Sequence, residues 1–358
     1  ALLQRLGMRQ PANGTAVDVE GARQIAAAIG FPLVVRPSYV LGGRAMDILH
    51  APEDLDTYFA RLLFENSAGI DKAVKISQDY PVLLDHYLEN AIEVDVDAVC
   101  DGRDVYVAGI MQHVEEAGVH SGDSACSLPP HSLSAAIIEQ LEHQACELAL
   151  ALGVVGLMNV QFAVRDGEIF ILEVNPRASR TVPFVAKATG VPLARIAARL
   201  CLGQTLAEVG LTQEPPVLGV SIKAPVFPFR RFEGVDTILG PEMRSTGEVM
   251  GRDRSFGLAF LKAAAGAGLR LPESGTVFCS VHDGDKEALL PIARELHALG
   301  FRLSATGGTA AFLHAAGLPA APVLKVNEGR PNVVDRMING EIQLVVNTPL
   351  GKESFYDE

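Results

Sequence analysis

Two oxygen-bearing side chains, Glu173 and Asn175, stand at the end of an apolar stretch that has the pattern of a β-strand. Because side chains alternate between the two faces of a strand, both point to one face and can offer oxygen to one hard cation. A solvated polar face would show the same spacing. Apolar neighbours favour instead a buried polar cluster that needs a partner; these neighbours are Val160, Phe162, Ile171 and Leu172.

Two strand patterns meet at Asp166–Gly167, the strongest hairpin signal in the chain. A two-residue turn would place Gln161 opposite Leu172, and Gln161 would then point away from Glu173. A three-residue loop that also includes Arg165 and has a left-handed glycine would instead put Gln161 on the face of Glu173. We predict the three-residue loop.

Basic side chains near this cluster could hold phosphate. Arg177 and Arg180 lie three residues apart just beyond the carboxylate, where a phosphate clamp beside a bound metal would require them. Arg36 precedes a glycine-rich loop in which Gly42 and Gly43 would let backbone N–H groups approach a phosphate, although most such pairs are plain turns.

Two further polar segments are candidates for binding. Glu93, Asp95 and Asp97 share one face of a strand pattern, and such repeats are usually the solvated side of a sheet. The spacing alone favours none of the three as a ligand, and only Glu93 is kept as a candidate, because of the resemblance described below. The segment His120–Ser124 crowds donors and acceptors into a loop, which is typical of functional loops and also of turns held by their own side chains.

Hairpin-paired strands combined with helices predict an α+β fold for the first part of the chain. Pro215–Pro216 marks a joint, and the proline-containing stretch that follows to about Leu271 is interpreted as an irregular connecting region. The predicted domains are residues 1–205, 206–271 and 272–358.

Beyond Pro272, strand and helix patterns alternate, from a strand at Thr276–Val281 to a strand at Ile342–Val346. Such alternation predicts an α/β domain with a parallel, doubly wound sheet. Parallel sheets bind ligands at the carboxyl ends of their strands. There, Thr306–Thr309 joins a strand to the start of a helix and could bind an anion, although a turn that only caps the helix explains it equally well.

Composition excludes several classes of protein. A chain of 358 residues is long enough for two or three domains, and its formal charge of -13 comes without a run of Lys and Arg that would indicate nucleic acid or an anionic membrane as partner. Five cysteines without Cys-x-x-Cys spacing argue against disulfides or zinc and fit the cytoplasm. The longest apolar run, Leu148–Met158, is shorter than the roughly 20 residues of a membrane helix. Ala1 is interpreted as a cut point inside a longer protein.

Taken together, these segments resemble the ATP-grasp superfamily and, much more closely, the family of the carbamoyl phosphate synthetase large subunit. The blocks occur in the order of that family and place the chain as the carboxyl-terminal third of the subunit. They are Val35–Met46, Glu93–Asp97, Val119–Ala125, Glu173–Arg180 and Pro241–Glu248.

The resemblance implies a site for ATP and two divalent ions, Mg2+ or Mn2+. It assigns one ion to Gln161 and Glu173 and the second to Glu173 and Asn175. It places Glu93 at the ribose and Gly42 and Gly43 in a loop over the phosphates. The residues that it assigns to ATP or to the reacting phosphate are Arg36, Gly42, Gly43, Glu93, His120, Ser121, Gln161, Glu173, Asn175, Arg177 and Arg180.

The resemblance also implies an activity and partners. This part would phosphorylate carbamate with ATP to carbamoyl phosphate, for arginine and pyrimidine biosynthesis. A missing amino-terminal part of the large subunit would phosphorylate bicarbonate, and a separate glutaminase small subunit would provide ammonia. The chain begins too late to contain the domain that normally precedes this ATP-grasp unit, so the fragment alone is expected to be incomplete.

The segment Cys279–Lys286 resembles the methylglyoxal-synthase-like regulatory domain of the same subunit, where effectors such as UMP and IMP bind. Gly307 and Pro349 depart from the family, because a His is frequent at the first position and a Thr often reaches the effector phosphate at the second. The residues assigned to the effector are Lys286, Thr306, Thr309, Lys325 and Asn347.

Glu115 and Asp123 correspond to two residues of the family's ornithine site, whereas Ala224 replaces the third, a Glu. The resemblance to an ornithine site is therefore incomplete.

There are three alternatives: the first is another ATP-grasp ligase, and the other two belong to different classes. A biotin-carboxylase-like ligase would use similar metal ligands, but it would not explain Pro241–Glu248 or the regulatory domain. A non-catalytic effector-binding module would bind an effector in the second domain and would not need the predicted metal and phosphate ligands of the first domain. A methylglyoxal synthase would use a Gly-Gly-Asp-Gln stretch, which is absent from this sequence.

Overall fold

The computed structural model describes residues 2–38, 43, 45–67, 76–212, 219–229 and 237–348. Gly42, Pro215–Pro216 and Pro349, which carried sequence-based interpretations, lie outside the described residues. The chain divides into two compact units, Ala1–Leu269 and Arg270–Glu358. Within the described part, no helix combines the length and apolar character needed to cross a membrane.

The first unit contains two antiparallel sheets with helices on their faces. Its helices are α1 (Leu2–Arg5), α2 (Val19–Ile29), α3 (Pro52–Ser67), α4 (Ala135–Ala151), α5 (Val182–Thr189), α6 (Leu193–Cys201) and α7 (Phe256–Gly266). Its strands are β1 (Asn13–Ala16), β2 (Leu33–Pro37), β3 (Asp47–Leu49), β4 (Val82–His86), β5 (Ile92–Asp101), β6 (Val105–His113), β7 (Cys126–Leu128), β8 (Val155–Arg165), β9 (Glu168–Asn175), β10 (Val220–Val226) and β11 (Gly247–Asp253).

The smaller sheet has the strand order β1-β4-β2-β3 and packs against α2 and α3. Helix α2 begins where the Asp18 carboxylate accepts a hydrogen bond from the backbone N–H of Gly21, which satisfies a donor that the first turn leaves open. On β2 the buried residues alternate, and Leu33 and Val35 enter the core. Arg36 is therefore directed away from that core, to the other face of this sheet.

The larger sheet has the strand order β11-β10-β7-β6-β5-β8-β9. Helix α4 covers one face, where its Leu141 and Leu148 join Val160 and Phe162 of β8 in a fully buried cluster. Helices α5 and α6 cover part of the opposite face. The polar side chains predicted to bind ligands lie on this second face, because they alternate with the residues that contact α4.

The prediction for the hairpin between β8 and β9 was wrong in its loop length. Arg165 pairs with Glu168, so the turn has only two residues, Asp166 and Gly167, with φ values of 52° and 77°. Both values belong to the primed turns, which match the right-handed twist of the two strands.

The predicted shared face of Gln161 and Glu173 is nevertheless present, and the two residues lie directly opposite each other. The register shifts by one residue next to Gln161, because Phe162 pairs with Ile171 and Leu172 is left over. A bulge of one residue reverses the side-chain parity, as the longer loop would have done. The sequence argument identified the shared face correctly and placed the extra residue in the wrong position.

The interpretation of residues 206–271 as irregular was also wrong for much of the segment. Strands β10 and β11 extend the large sheet beyond β7, and α7 packs on them through Ala259 and Ala263. Gly251 permits this contact, because a Cβ atom there would overlap the backbone of Ala259 and Ala263. The prediction failed because prolines were taken to exclude a strand. Pro225 is the next-to-last residue of β10, where a strand can accept a proline.

The second unit has the predicted doubly wound α/β pattern. A parallel sheet of order β14-β13-β12-β15 carries helices connecting successive strands. Its elements are β12 (Thr276–Val281), a 3-10 turn (Asp283–Asp285), α8 (Lys286–Ala298), β13 (Arg302–Ala305), α9 (Gly307–Ala315), β14 (Ala320–Pro322), α10 (Val333–Ile338) and β15 (Leu344–Thr348).

The two-residue turn can be tested by replacing Gly167 with Ala. A Cβ atom there meets no other atom, so the expected loss of about 1 kcal/mol in the free energy of unfolding comes from the left-handed backbone alone. Gly257→Ala in α7, which also meets no neighbour, is the control and should not destabilise the protein. Urea unfolding measures both. Equal stability of Gly167→Ala and the parent would contradict the turn geometry.

Candidate functional site

The predicted metal ligands come together where β8 and β9 pair. Gln161 lies opposite Glu173, and Asn159 lies opposite Asn175, so their side chains project side by side from one face. Glu173 is exposed, while Gln161 and Asn175 are half-buried. The amide NH2 of Gln161 donates to Ser121 Oγ at 3.1 Å, and this leaves its oxygen as the group that a cation would bind. Carboxylate and amide oxygens suit a hard divalent ion.

Asp95 and Asp97, which the sequence analysis set aside as solvated, are buried on the same face, with exposures of 1% and 0%. Asp97 accepts hydrogen bonds from Thr181 Oγ1 at 2.6 Å, Ser179 Oγ at 2.8 Å and Asn159 Nδ2 at 3.0 Å. Burial raises the pKa of Asp97 to about 6, although the hydrogen bonds from these donors oppose that shift. The three donors stabilise the charged form in a site that water does not reach.

Asp95 forms an ion pair with the buried side chain of His113, whose Nε2 is 2.9 Å from Asp95 Oδ2. The second ring nitrogen, Nδ1, is 3.3 Å from Glu93 Oε2. Burial alone would lower the pKa of His113, but Cys126 and the two carboxylates outweigh it and hold the pKa well above its ordinary value. The two carboxylates favour the protonated form of the His113 ring.

Donor atoms of Asp95, His113 and Cys126 also lie within 4.8 Å of one another, a spacing that could suit a metal. Both ring nitrogens of His113 face carboxylate oxygens, one of Asp95 and one of Glu93. We therefore interpret this group as an ion-pair network.

The loop His120–Ser124 is fastened to the segment before β11. Asp123 is fully buried, and its two oxygens accept the backbone N–H groups of Arg244 and Ser245 at 2.7 and 2.8 Å. The buried ammonium group of Lys223 donates to the carbonyl of Ser121 at 2.9 Å. These bonds give Asp123 a structural role that the sequence analysis did not foresee.

Two predicted phosphate ligands, His120 and Arg180, converge at Gly122. A Cβ atom on Gly122 would lie 3.2 Å from His120 Nδ1 and 3.3 Å from Arg180 Nη1. The N–H of Gly122 donates to Nδ1 of His120 at 3.0 Å, so the neutral ring carries its proton on Nε2. Burial is the main cause that lowers the pKa of His120; Asp123 opposes this and Arg180 adds to it. A neutral donor and a cation thus stand together.

Three other predicted ligands of ATP make separate contacts within the first unit: Glu93, Arg177 and Arg36. Glu93 accepts the N–H of Gly118 at 3.0 Å. Arg177 is exposed, and its Nη1 donates to the carbonyl of Ala178 at 3.0 Å. Arg36 Nε lies 3.7 Å from Asp85 Oδ2. This Nε is buried, and it donates no hydrogen bond to any of the described residues.

Gly43 contacts the backbone of Pro241–Glu242, and a Cβ atom on it would overlap the carbonyl oxygen of Pro241. Its φ of 72° also favours glycine. The second half of the predicted glycine pair therefore packs on the segment that precedes β11.

The ornithine-like pair is engaged within the protein. Glu115 Oε2 accepts the N–H of Ala125 at 2.6 Å, and Asp123 holds the two N–H groups described above. Ala224 is buried with a 7% exposure and offers no charge. An ornithine site here stays a prediction.

In the second unit a small cavity combines polar and apolar walls. Thr306, Lys325 and Asn347 were predicted to bind an effector, and all three line the cavity. Thr309 lies behind it, with its Oγ1 3.4 Å from Thr306 Oγ1. The further lining residues, not predicted as ligands, are Phe278, Ser280, Val333, Met337 and Val345.

Lys286 stands at the start of α8, and its Nζ forms an ion pair with Asp283 Oδ1 at 2.6 Å. The same Nζ is close to the start of α9, since a Cβ atom on Gly308 would lie 3.5 Å from it. The hydroxyl of Thr306 does not cap α9, so the first N–H groups of that helix can meet an anion.

The structural role of Asp123 can be tested by substitution. Asp123→Ala would leave two N–H groups without an acceptor, one of them buried, at an expected cost of about 2 kcal/mol or more in the free energy of unfolding. Asp123→Asn retains one acceptor oxygen and should lose less. The control is Asp104→Ala, at an exposed position after β5. Urea unfolding that gave Asp123→Ala the stability of the parent would contradict the role.

Relatives identified by sequence cover nearly the whole chain. The carbamoyl phosphate synthase large chain of Gemmatimonas aurantiaca is 54% identical over 100% of the chain, and that of Archaeoglobus fulgidus is 53% identical over 98%. The match covers 32% of each relative. The chain therefore spans about a third of the length of the curated relatives it matches.

Solved structures show the same fold at low identity. The N5-carboxyaminoimidazole ribonucleotide synthetase of Thermus thermophilus has a TM-score of 0.54 and 17% identity, covering 76% of this chain and 71% of that chain. The biotin carboxylase domain of the Hydrogenobacter thermophilus 2-oxoglutarate carboxylase, in complex with MgADP, ADP and bicarbonate, has a TM-score of 0.51 and 21% identity, covering 63% and 48%.

Two family models match in the order of the two units. The MGS-like domain matches residues 288–357. The carbamoyl-phosphate synthase L chain, ATP binding domain, matches residues 2–209, which is more than half of the 358 residues. The chain therefore belongs to the family of the ATP-binding domain of the carbamoyl-phosphate synthase large chain.

Proposed function

We propose that the first unit binds ATP with divalent cations and transfers its terminal phosphate to carbamate, which forms carbamoyl phosphate. The observation that carries the proposal is the pairing of β8 with β9, which places Gln161 opposite Glu173 on one face. Asn175 ends the same strand, immediately before the loop that carries Arg177 and Arg180. Oxygen ligands thus stand next to cations for phosphate, as phosphoryl transfer requires.

The residues fit the divalent ions that the family implies. Gln161, Glu173 and Asn175 offer only hard oxygen ligands, and the exposed Glu173 carboxylate supplies the negative charge. Bound there, one or two Mg2+ or Mn2+ ions would neutralise oxygens of the triphosphate. The biotin carboxylase domain of the same fold binds MgADP, which supports ATP and magnesium as ligands here.

The chain's own groups account for the remaining charge. A carbamate anion and a triphosphate repel each other, so the reacting groups must be neutralised and held in line. Arg180 supplies a cation and His120 a neutral N–H donor at the same place, next to Gly122. Carbamate oxygen would then bond to the terminal phosphorus as the bond to ADP breaks, and no covalent bond to the protein is needed.

We propose further that this reaction is one step of glutamine-dependent carbamoyl phosphate synthesis. The relatives named carbamoyl phosphate synthase large chain match both units, which favours this function over a biotin-carboxylase-like ligase or a methylglyoxal synthase. The partners would be the remaining part of the large chain and a glutaminase small subunit. Residues 1–205 would form the ATP-grasp domain and residues 272–358 the regulatory domain. Residues 206–271 would connect them, and their strands β10 and β11 extend the large sheet.

Glu173→Gln tests the metal assignment in the complete enzyme, with its partner subunit. The change removes the charge that the bound ions would share, so formation of ATP from ADP and carbamoyl phosphate should fall at least about 100-fold, or about 2.7 kcal/mol. Glu168→Gln on the same strand is the matched control, because Glu168 is exposed and its carboxylate forms an ion pair with the exposed Arg9. A normal rate for Glu173→Gln would show that Glu173 binds no essential ion.

The second unit is proposed to bind a nucleoside monophosphate. Its phosphate would lie at Thr306 and Lys325, and its base would lie against the apolar wall of the cavity. Calorimetry on residues 270–358 with UMP and IMP should detect binding with a Kd below about 1 mM, or about 4 kcal/mol. Thr306→Val should weaken it about tenfold. Arg294→Ala on the exposed side of α8 is the control. Absence of heat with either nucleotide would contradict effector binding.

A further inference from the structure

Asp97 is a buried carboxylate to which the proposed reaction assigns no role. It lies on β5 between β6 and β8 and has no exposed surface. Its Oδ2 accepts the hydroxyl of Thr181 at 2.6 Å, and its Oδ1 accepts the hydroxyl of Ser179 at 2.8 Å. The two hydroxyl oxygens are themselves 2.8 Å apart. One carboxylate therefore binds two residues of the loop that follows β9.

These two residues flank Arg180. Ser179 precedes it and Thr181 follows it, so both peptide groups of Arg180 are adjacent to a side chain tied to Asp97. Thr181 stands at the position that caps helix α5, yet its side chain makes no capping hydrogen bond. A capping hydroxyl is usually worth about 1 kcal/mol to a helix. Here the hydroxyl serves the buried carboxylate instead.

Arg180 differs from its neighbours in its surroundings. Thr181 is buried and Ser179 is half-buried, whereas Arg180 is exposed and its guanidinium group approaches Gly122 next to His120. The loop is thus held from inside the protein, while the charged end of Arg180 projects toward the site. Such anchoring keeps a cation in one position without using its own hydrogen-bonding groups.

The Asp97 carboxylate also contacts strand β8, which carries the proposed metal ligand Gln161. Asp97 Oδ1 also accepts the amide of Asn159 at 3.0 Å, and Asn159 pairs across the strands with Asn175. Asp97 is therefore common to the strand that bears the proposed metal ligands and to the loop that bears the proposed phosphate ligand.

We propose that Asp97 is the positioning residue of this site: through Ser179 and Thr181 it sets the location of Arg180 relative to the metal ligands. The inference rests on the proposed phosphoryl transfer. Asp97 itself touches no substrate. A displacement of about 1 Å in a group that meets the reacting phosphate can cost about 100-fold in rate, which is the effect that this anchoring would prevent.

The test uses the complete enzyme and the formation of ATP from ADP and carbamoyl phosphate. Thr181→Val keeps the shape of the side chain and removes the hydroxyl, while Thr181→Ser keeps the hydroxyl. We expect Thr181→Val to lower kcat roughly 10- to 100-fold, with KM for ADP changed less than about twofold, and Thr181→Ser to retain at least about half of the parental kcat.

Asp97→Asn supplies a second route, because it keeps the volume and replaces one acceptor oxygen by a donor. We expect it to lower kcat at least as much as Thr181→Val does, because Asp97 also binds Ser179 and Asn159. The double variant should be no slower than Asp97→Asn, since that variant already disrupts the interaction with Thr181. Asp101→Asn is the control on the same strand. The carboxylate of Asp101 holds the backbone N–H groups of Arg103, Asp104 and Leu206, so its variant should keep the parental kcat.

Several outcomes would overturn the inference. A parental kcat in Thr181→Val, equal losses in Thr181→Val and Thr181→Ser, or independent losses in the double variant would each show that Asp97 does not act through this loop. A lowered melting temperature with a normal kcat would show a purely structural role. If the parent enzyme itself forms no ATP from carbamoyl phosphate, the proposed function fails, and this result is distinct from an active parent with unaffected variants.

Discussion

The burial of two carboxylates on the central strand of the large sheet is the constraint on which the site depends. Asp95 and Asp97 cannot meet water, so each needs donors from the protein. The donors come from different elements: His113 ends β6, Asn159 lies in β8, and Thr181 precedes α5. Satisfying two buried charges therefore fixes three elements relative to β5, and these elements flank the proposed metal and phosphate ligands.

A second buried carboxylate cluster connects the rest of the first unit to the same place. Asp123 holds the backbone of Arg244 and Ser245, and the carbonyl of Gly240 accepts the N–H of His120 at 2.9 Å. The segment before β11 also meets Gly43. The segment before β11 contains no candidate ligand, but it contacts His120 and Gly43, two residues that the resemblance assigns to phosphate. These contacts give the segment Pro241–Glu248 a structural role in the first unit.

Alternation along a strand was sufficient to predict that Glu173 and Asn175 share a face, because it is set by the backbone. The face of Gln161 was predicted correctly from a loop length that the structure does not have. Local patterns were also sufficient for the second unit, where strands and helices alternate along the chain. They could not place the extra residue at Leu172, since a bulge and a longer loop produce the same parity.

The burial of Asp95 and Asp97 could not be predicted from spacing, because the same pattern describes an exposed sheet face. Which reading is correct depends on the position of β5 between two strands and on the loop that covers it, and both are tertiary facts. Strands β10 and β11 were missed for the related reason that their stability comes from pairing with β7 and packing under α7. The one available signal was chemical: two aspartates within an otherwise apolar strand require partners.

The site also separates the groups that hold from the groups that react. Asp95, Asp97 and Asp123 are buried and fully engaged with backbone or side-chain donors, whereas Glu173, Arg177 and Arg180 are exposed. A buried charge is rigid, because moving it would break bonds that water cannot replace. An exposed charged side chain remains able to bind a ligand, but it is less rigidly positioned. Asp97 joins the two kinds of group through its short hydrogen bonds to Ser179 and Thr181, which hold the chain on both sides of the exposed Arg180.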